Sequence, residues 1–141
     1  MRIVVATTSV PFASGSADAV ADALAAACRG RGDAVDRVRL PRGVHVAAAC
    51  RLTDVGADRV LCLDARAALL EHPARRVWLV DPDGLEVPSV RAAVAGAPAV
   101  RAADEDVRAR LAAADVPAQL LPLPRPDDAD AWTRAAAALV R

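Results

Sequence analysis

The sequence predicts an α/β domain of the Rossmann-like, doubly wound kind, with a mostly parallel sheet of about six strands. Three observations predict it. Short apolar runs alternate with Ala-rich stretches of helical spacing along the whole chain. The run Arg76-Val77-Trp78-Leu79-Val80 is unbroken after its first residue, as in a central parallel strand buried on both faces. The first such unit places a Gly-containing loop between strand and helix, an opening that tolerates phosphate at the helix N-terminus.

Element by element, Arg2 to Thr7 is the first strand, and Ser9 to Asp18 is the loop that carries Gly15. Val20, Leu24 and Cys28 recur at a spacing of four, so Ser16 to Arg29 is an amphipathic helix; Ser16 serves as N-cap, Asp18 suits the first turn, and Gly30 or Gly32 ends it. Ala34 to Leu40 is a second strand stopped by Pro41, and Val44 to Val55 a second helix. Arg59 to Leu63 is a third strand, followed by a short helix, Ala65 to Glu71, that His72-Pro73 stops. After the fourth strand, Arg76 to Val80, Asp81-Pro82-Asp83-Gly84 is a turn by composition. A helix at Ser89 to Ala95, a strand at Ala99 to Ala102, a helix at Asp104 to Ala114 and a strand at Ala118 to Leu121 complete the alternation. Three prolines in Pro122 to Pro126 require an extended linker, and Asp128 to Val140 is a terminal helix with Trp132, Ala136, Leu139 and Val140 near one stripe. Helices between successive strands imply right-handed crossovers.

At 141 residues the chain fits one domain on a prior of ~100 to 200 residues per domain, and it is long enough to bury a sizeable core. Hydrophobic residues make up 55% but aromatics only 2%, so that core is Ala, Val and Leu, with Phe12, Trp78 and Trp132 as isolated large pieces. All 18 basic residues are Arg, balanced by 18 acidic residues; net charge zero argues against nucleic acid or an anionic membrane as a partner. Cys28, Cys50 and Cys62 are odd in number and widely spaced, which favours reduced core residues over a disulfide framework or a zinc site. The apolar N-terminal run is short and carries Arg2, so no signal peptide is expected. No stretch approaches the ~20 apolar residues of a membrane span, and the expected location is the cytoplasm.

Several segments, in order, resemble the N-terminal domain of family 4 glycosyltransferases of the GT-B type. PFASGSAD stands where the family carries Pro-Phe or Pro-Pro and a Gly-Gly-Ala-Glu-like turn, with Ser16 for the second Gly and Asp18 for the Glu. RGRGDAVDRVRLP is similar to the end of the family's first helix and a strand closing in Leu-Pro, and GADRVLCLDARAALLEHPARRVWLV to its third strand, short helix with a His-Pro stop, and Val-Trp-Leu strand. AVRAADEDVRARLAAADVPAQLLPLP resembles the strand and helix leading to the interdomain linker. The resemblance covers residues 1–126 and implies an acceptor-side domain. Where members commonly have a His-containing segment after the Trp-Leu strand, Asp81-Pro82-Asp83 stands instead, and the donor-binding domain that holds the nucleotide sugar has no counterpart. Asp130-Ala131-Trp132-Thr133 then looks like the family's final crossing helix, so residues 127–141 are expected to pack back on the domain.

The resemblance therefore implies a glycosyltransferase-like unit inactive on its own. It would act as a partner or regulatory half, as one half of a split enzyme, or, once all link to sugar chemistry is lost, as a small binding module. No catalytic residue, cofactor or metal is expected. The expected ligand-binding residues are Phe12, Gly15, Ser16 and Asp18 on the first loop and Asp81 and Asp83 after the fourth strand, all at the strand carboxyl ends where open α/β sheets bind ligands. Gly15 and Ser16 can offer backbone N–H groups to a phosphate or an acceptor hydroxyl, although a tight βα turn accounts for the same glycine. Asp81-x-Asp83 has the spacing of a cation-binding pair, but turn chemistry explains each of its residues. His45 and His72 have no neighbouring nucleophile in sequence. The same face, with Phe12 in it, is the expected contact for a homodimer or a separate glycosyltransferase chain.

Overall fold

The computed structural model describes residues 1–9, 15–41 and 56–141. Phe12, His45, Cys50 and the expected helix from Val44 to Val55 lie outside the described residues. Six strands form one all-parallel sheet: β1 (Arg2–Ser9), β2 (Ala34–Pro41), β3 (Arg59–Asp64), β4 (Arg75–Asp81), β5 (Val100–Ala102) and β6 (Gln119–Leu120), in the order β2-β1-β3-β4-β5-β6. Among the described residues four α-helices accompany them: α1 (Ser16–Gly30), α2 (Pro88–Ala95), α3 (Glu105–Ala113) and α4 (Ala129–Val140). The chain moves outward from β1 to β2 and returns past β1 to β3, so the direction of winding reverses between β1 and β3. That reversal opens a crevice at the strand carboxyl ends.

Alternation along the strands sorts the core into two layers. Ile3, Val5, Leu61, Leu63 and Trp78 pack with α1 and α4, whereas Val4, Ala6, Val60, Cys62, Val77, Leu79 and Ala102 pack with α2 and α3 on the other face. β3 and β4 therefore need apolar side chains at successive positions, which is why Leu61-Cys62-Leu63 and Val77-Trp78-Leu79 are all buried. The two thiols are inert core groups: burial pushes Cys28 up to about 11 and Cys62 up to about 12.

Local rules account for most boundaries. α1 is capped by Gly15, one residue before the expected Ser16, because the Gly15 N–H donates to Asp18 Oδ2 at 3.2 Å. It ends where Gly32 takes φ +92°, a backbone that L side chains rarely adopt. Asp104 caps α3 through the Val107 N–H, and Asp128 caps α4 through the Ala131 N–H, each at 2.8 Å. The expected short helix from Ala65 to Glu71 is only a 3-10 turn, Arg66–Leu69. Asp64 Oδ1 takes the Ala67 N–H at the end of β3, the Cys62 thiol donates to the Ala67 carbonyl, and Leu70 is already extended. The turn thus ends at Leu70, before the expected stop at His72-Pro73, and His72 Nδ1 accepts the Ala74 N–H at 3.1 Å.

α4 crosses back over α1 and seats Trp132 in the core. The Trp132 ring meets Trp78 edge to face, with centroids 6.2 Å apart, and both indole N–H groups donate to backbone carbonyls, Trp132 to Arg125 and Trp78 to Leu121. These two bonds fasten both ends of the Pro-rich linker onto the layer beneath it. Trp132→Ala is expected to cost about 3 to 5 kcal/mol, the usual penalty for emptying a large aromatic site. Urea denaturation checks this, and a midpoint equal to that of the parent protein would show that α4 is a loose tail.

Candidate functional site

The carboxyl ends of β1, β3 and β4 hold the densest polar cluster on the described part of the crevice, and its centre is Asp64. This carboxylate is 3% exposed. One oxygen accepts the Thr8 N–H at 2.6 Å and the other the Ala67 N–H at 2.8 Å, so it ties the end of β1 to the turn that follows β3. Burial raises its pKa above the ordinary carboxylate value; the bonds from Thr8 and Ala67 oppose the rise, and the charge of Asp81 adds to it.

On the β1 side, Gly15 and Ser16 lie at the exposed N-terminus of α1, as the loop pattern predicts. Asp18 is turned inward and is 7% exposed. It accepts from the buried Thr7 hydroxyl at 3.2 Å and from the Gly15 N–H, and it pairs with Arg37 at 3.5 Å and Arg39 at 3.3 Å. Asp18 thus ties the start of α1 to β1 and β2. Arg37 also pairs with Asp22, which anchors β2 to the outer side of α1.

On the β4 side, Asp81 Oδ1 accepts the Asp83 N–H at 2.9 Å and the Asp81 carbonyl accepts the Ala65 N–H at 3.3 Å. The turn closes at Gly84, where φ is +92°, and Arg66 lies directly across it: a Cβ on Gly84 would fall 2.9 Å from Arg66 Nε. Gly84 is therefore favoured by its backbone, and a side chain there would also have to displace Arg66. Among the described residues no group of three or more His, Cys, Asp and Glu side chains is placed to hold a metal ion.

The expected residues thus form a row rather than a pocket. Gly15, Ser16 and Asp18 stand over β1, Asp81 and Asp83 over β4, and Asp64, which pairs with Asp81 in register, bridges them. A cleft of about 320 Å³ opens nearby between the β4 turn, α2 and α3, lined by Pro82, Leu85, Glu86, Arg91 and Arg110 among others, none of them an expected site residue. Sequence reasoning missed Asp64 and Arg66. The available signal was an aspartate placed directly after the apolar run Val60-Leu61-Cys62-Leu63, at the carboxyl end of a strand.

Fold and crevice together define a doubly wound α/β domain with its switch point between β1 and β3. No family model matches the sequence, and no curated protein or solved structure matches it.

The raised pKa of Asp64 has a consequence for stability. The folded state holds the Asp64 proton more tightly than the unfolded chain does, so the stability this group contributes is present below the ordinary Asp value of 3.8 and is lost as pH rises through its folded pKa. Urea melts from pH 4 to pH 8 are expected to show the parent protein losing stability relative to Asp64→Asn as pH rises. A gap that moves the other way would mean that the two backbone N–H groups outweigh burial.

Proposed function

We propose that these residues form the acceptor-side unit of a family 4, GT-B type glycosylation system, with donor-binding groups supplied by polypeptide outside these 141 residues. The observation that carries this reading is the ordered series of segments from the PFASGSAD loop to the Pro-rich linker, joined to a terminal helix that packs back on α1 through Trp132. The six-stranded parallel sheet with a β1/β3 switch point is a scaffold of the right kind for this reading, because α1 begins at the carboxyl end of β1, where open α/β sheets bind ligands.

In this reading the unit positions an acceptor hydroxyl and does no bond-breaking by itself. The described crevice carries Asp64, Asp81 and Asp83, whose charge is the wrong sign to stabilise a departing diphosphate. A small binding module without transfer chemistry is the second reading, favoured by the inward commitment of Asp18, whose oxygens are engaged by Thr7, Gly15 and two arginines.

Calorimetry of the purified protein against UDP-, GDP- and ADP-sugars is expected to show neither binding nor turnover, and micromolar affinity for any of them would overturn the assignment of donor binding to another unit. Amide NMR against a panel of simple glycosides separates the two readings. Saturable shifts at Thr8, Gly15 and Ser16 support the acceptor-side unit, and their absence across the panel favours the module.

A further inference from the structure

At the opposite, amino end of the sheet, four arginines gather on one face. Leu61 pairs in register with Arg76, and Trp78 with Arg101. Trp78 and Leu61 face α1 and α4, so Arg59, Arg76 and Arg101, set at even spacing from them, emerge on that same face from three adjacent strands. The last turn of α4 closes over them and brings Arg141. Arg76, Arg101 and Arg141, with Val77, Ala99, Ala138 and Leu139, enclose a cavity of about 210 Å³ that no acidic side chain lines. Such a volume has room for several water molecules at roughly 30 Å³ each, and hence for a phosphate group.

The arginines' own partners do not balance their charge. Arg59 Nε donates to the Val140 carbonyl at 3.0 Å and Nη1 to the Asp58 carbonyl at 2.8 Å; Arg76 Nη1 donates to the Arg75 carbonyl at 3.2 Å; Arg101 Nη1 donates to Gln119 Oε1 at 2.7 Å. Every acceptor is neutral, and among the described residues none of the four arginines forms an ion pair. The Arg59 bond to Val140 also meets the partial negative charge at the C-terminus of α4. Like charges on neighbouring strands destabilise a sheet. In keeping with this, the pKa of Arg76 is lowered, by burial first and by the charge of Arg59 second. Such a group of cations, around a cavity that no acidic side chain lines, is arranged for an anion with several oxygens that can accept from more than one guanidinium fork.

We propose that the cavity between the amino ends of β4 and β5 and the last turn of α4 binds a phosphate dianion, free or as the terminal group of a small monoester, through Arg76, Arg101 and Arg141. The site is independent of the crevice at the carboxyl ends, and its ligand needs no sugar. Two probes test it, inorganic phosphate and glycerol 3-phosphate, each titrated into the isotope-labelled protein at an ionic strength held constant with chloride. Saturable amide shifts confined to Arg76–Val77, Ala99–Arg101 and Ala138–Arg141 are expected from at least one probe, and the tighter of the two tells free phosphate from monoester.

Arg76→Gln and Arg101→Gln should each weaken binding about tenfold or more, the scale of a lost charge-assisted fork. Arg76→Lys should recover part of the loss, and Arg134→Gln, on α4 but outside the cavity, should leave binding unchanged. Arg101→Gln, on a strand near the sheet edge, carries the test if Arg76→Gln does not fold. Shifts that grow linearly with either probe, that chloride alone reproduces, or that survive in Arg101→Gln with the parent affinity would overturn the proposal.

Discussion

Asp64 holds the fold at its weakest geometric point. The ladder between β1 and β3 runs from Ile3 and Arg59 to Ala6 and Cys62, and beyond it the backbone N–H groups at the carboxyl ends need other partners. One buried carboxylate answers two of them, Thr8 on β1 and Ala67 in the turn after β3. Leaving either donor unpaired in a dry site would cost about 1 to 3 kcal/mol, and the charge itself is expensive to bury. The raised pKa records that second cost. The crevice therefore owes its shape to a group that gives up part of its own solvation to define it.

The remainder of the architecture follows from a core of small side chains. Ala17, Ala21, Ala25, Ala135 and Ala136 let α1 and α4 approach closely, while Trp78 and Trp132 fill the space that such small residues cannot. In a layer this lean, two indoles in edge-to-face contact set the position of α4, and through their N–H groups they also set the path of the linker.

Much of the fold was legible in the order of apolar runs. The continuous hydrophobicity of Val60-Leu61-Cys62-Leu63 and Val77-Trp78-Leu79-Val80 marked central strands, and the prolines at Pro122 to Pro126 marked a break, because those signals come from burial and from covalent constraint; Pro41, expected to stop the second strand, is instead the last residue of β2. Harder to read were features decided by distant contacts. Ala65 to Glu71 reads as a helix by propensity, yet a carboxylate at its entrance and an extended Leu70 reduce it to one tight turn. The extent of β6, two residues, depends on β5 alone and left no mark in composition. Of the candidate site, turn chemistry marks Asp81 and the loop pattern marks the start of α1, though the cap falls on Gly15 rather than the expected Ser16; Asp64 and Arg66 escaped because their roles arise only when β1, β3 and β4 lie side by side.

The pairing of Arg37 and Arg39 with α1 bears on what happens at the border of the sheet. β2 presents one side to β1, and its other side carries no strand among the described residues. An edge strand of this length is a template on which a further strand can pair. Here two guanidinium groups sit along it at alternate positions, held by Asp18 and Asp22. Any incoming chain would have to bury those charges or break them away from their carboxylates. The ion pairs that tie β2 to α1 thus also set charge along the side of β2 where a further strand would join.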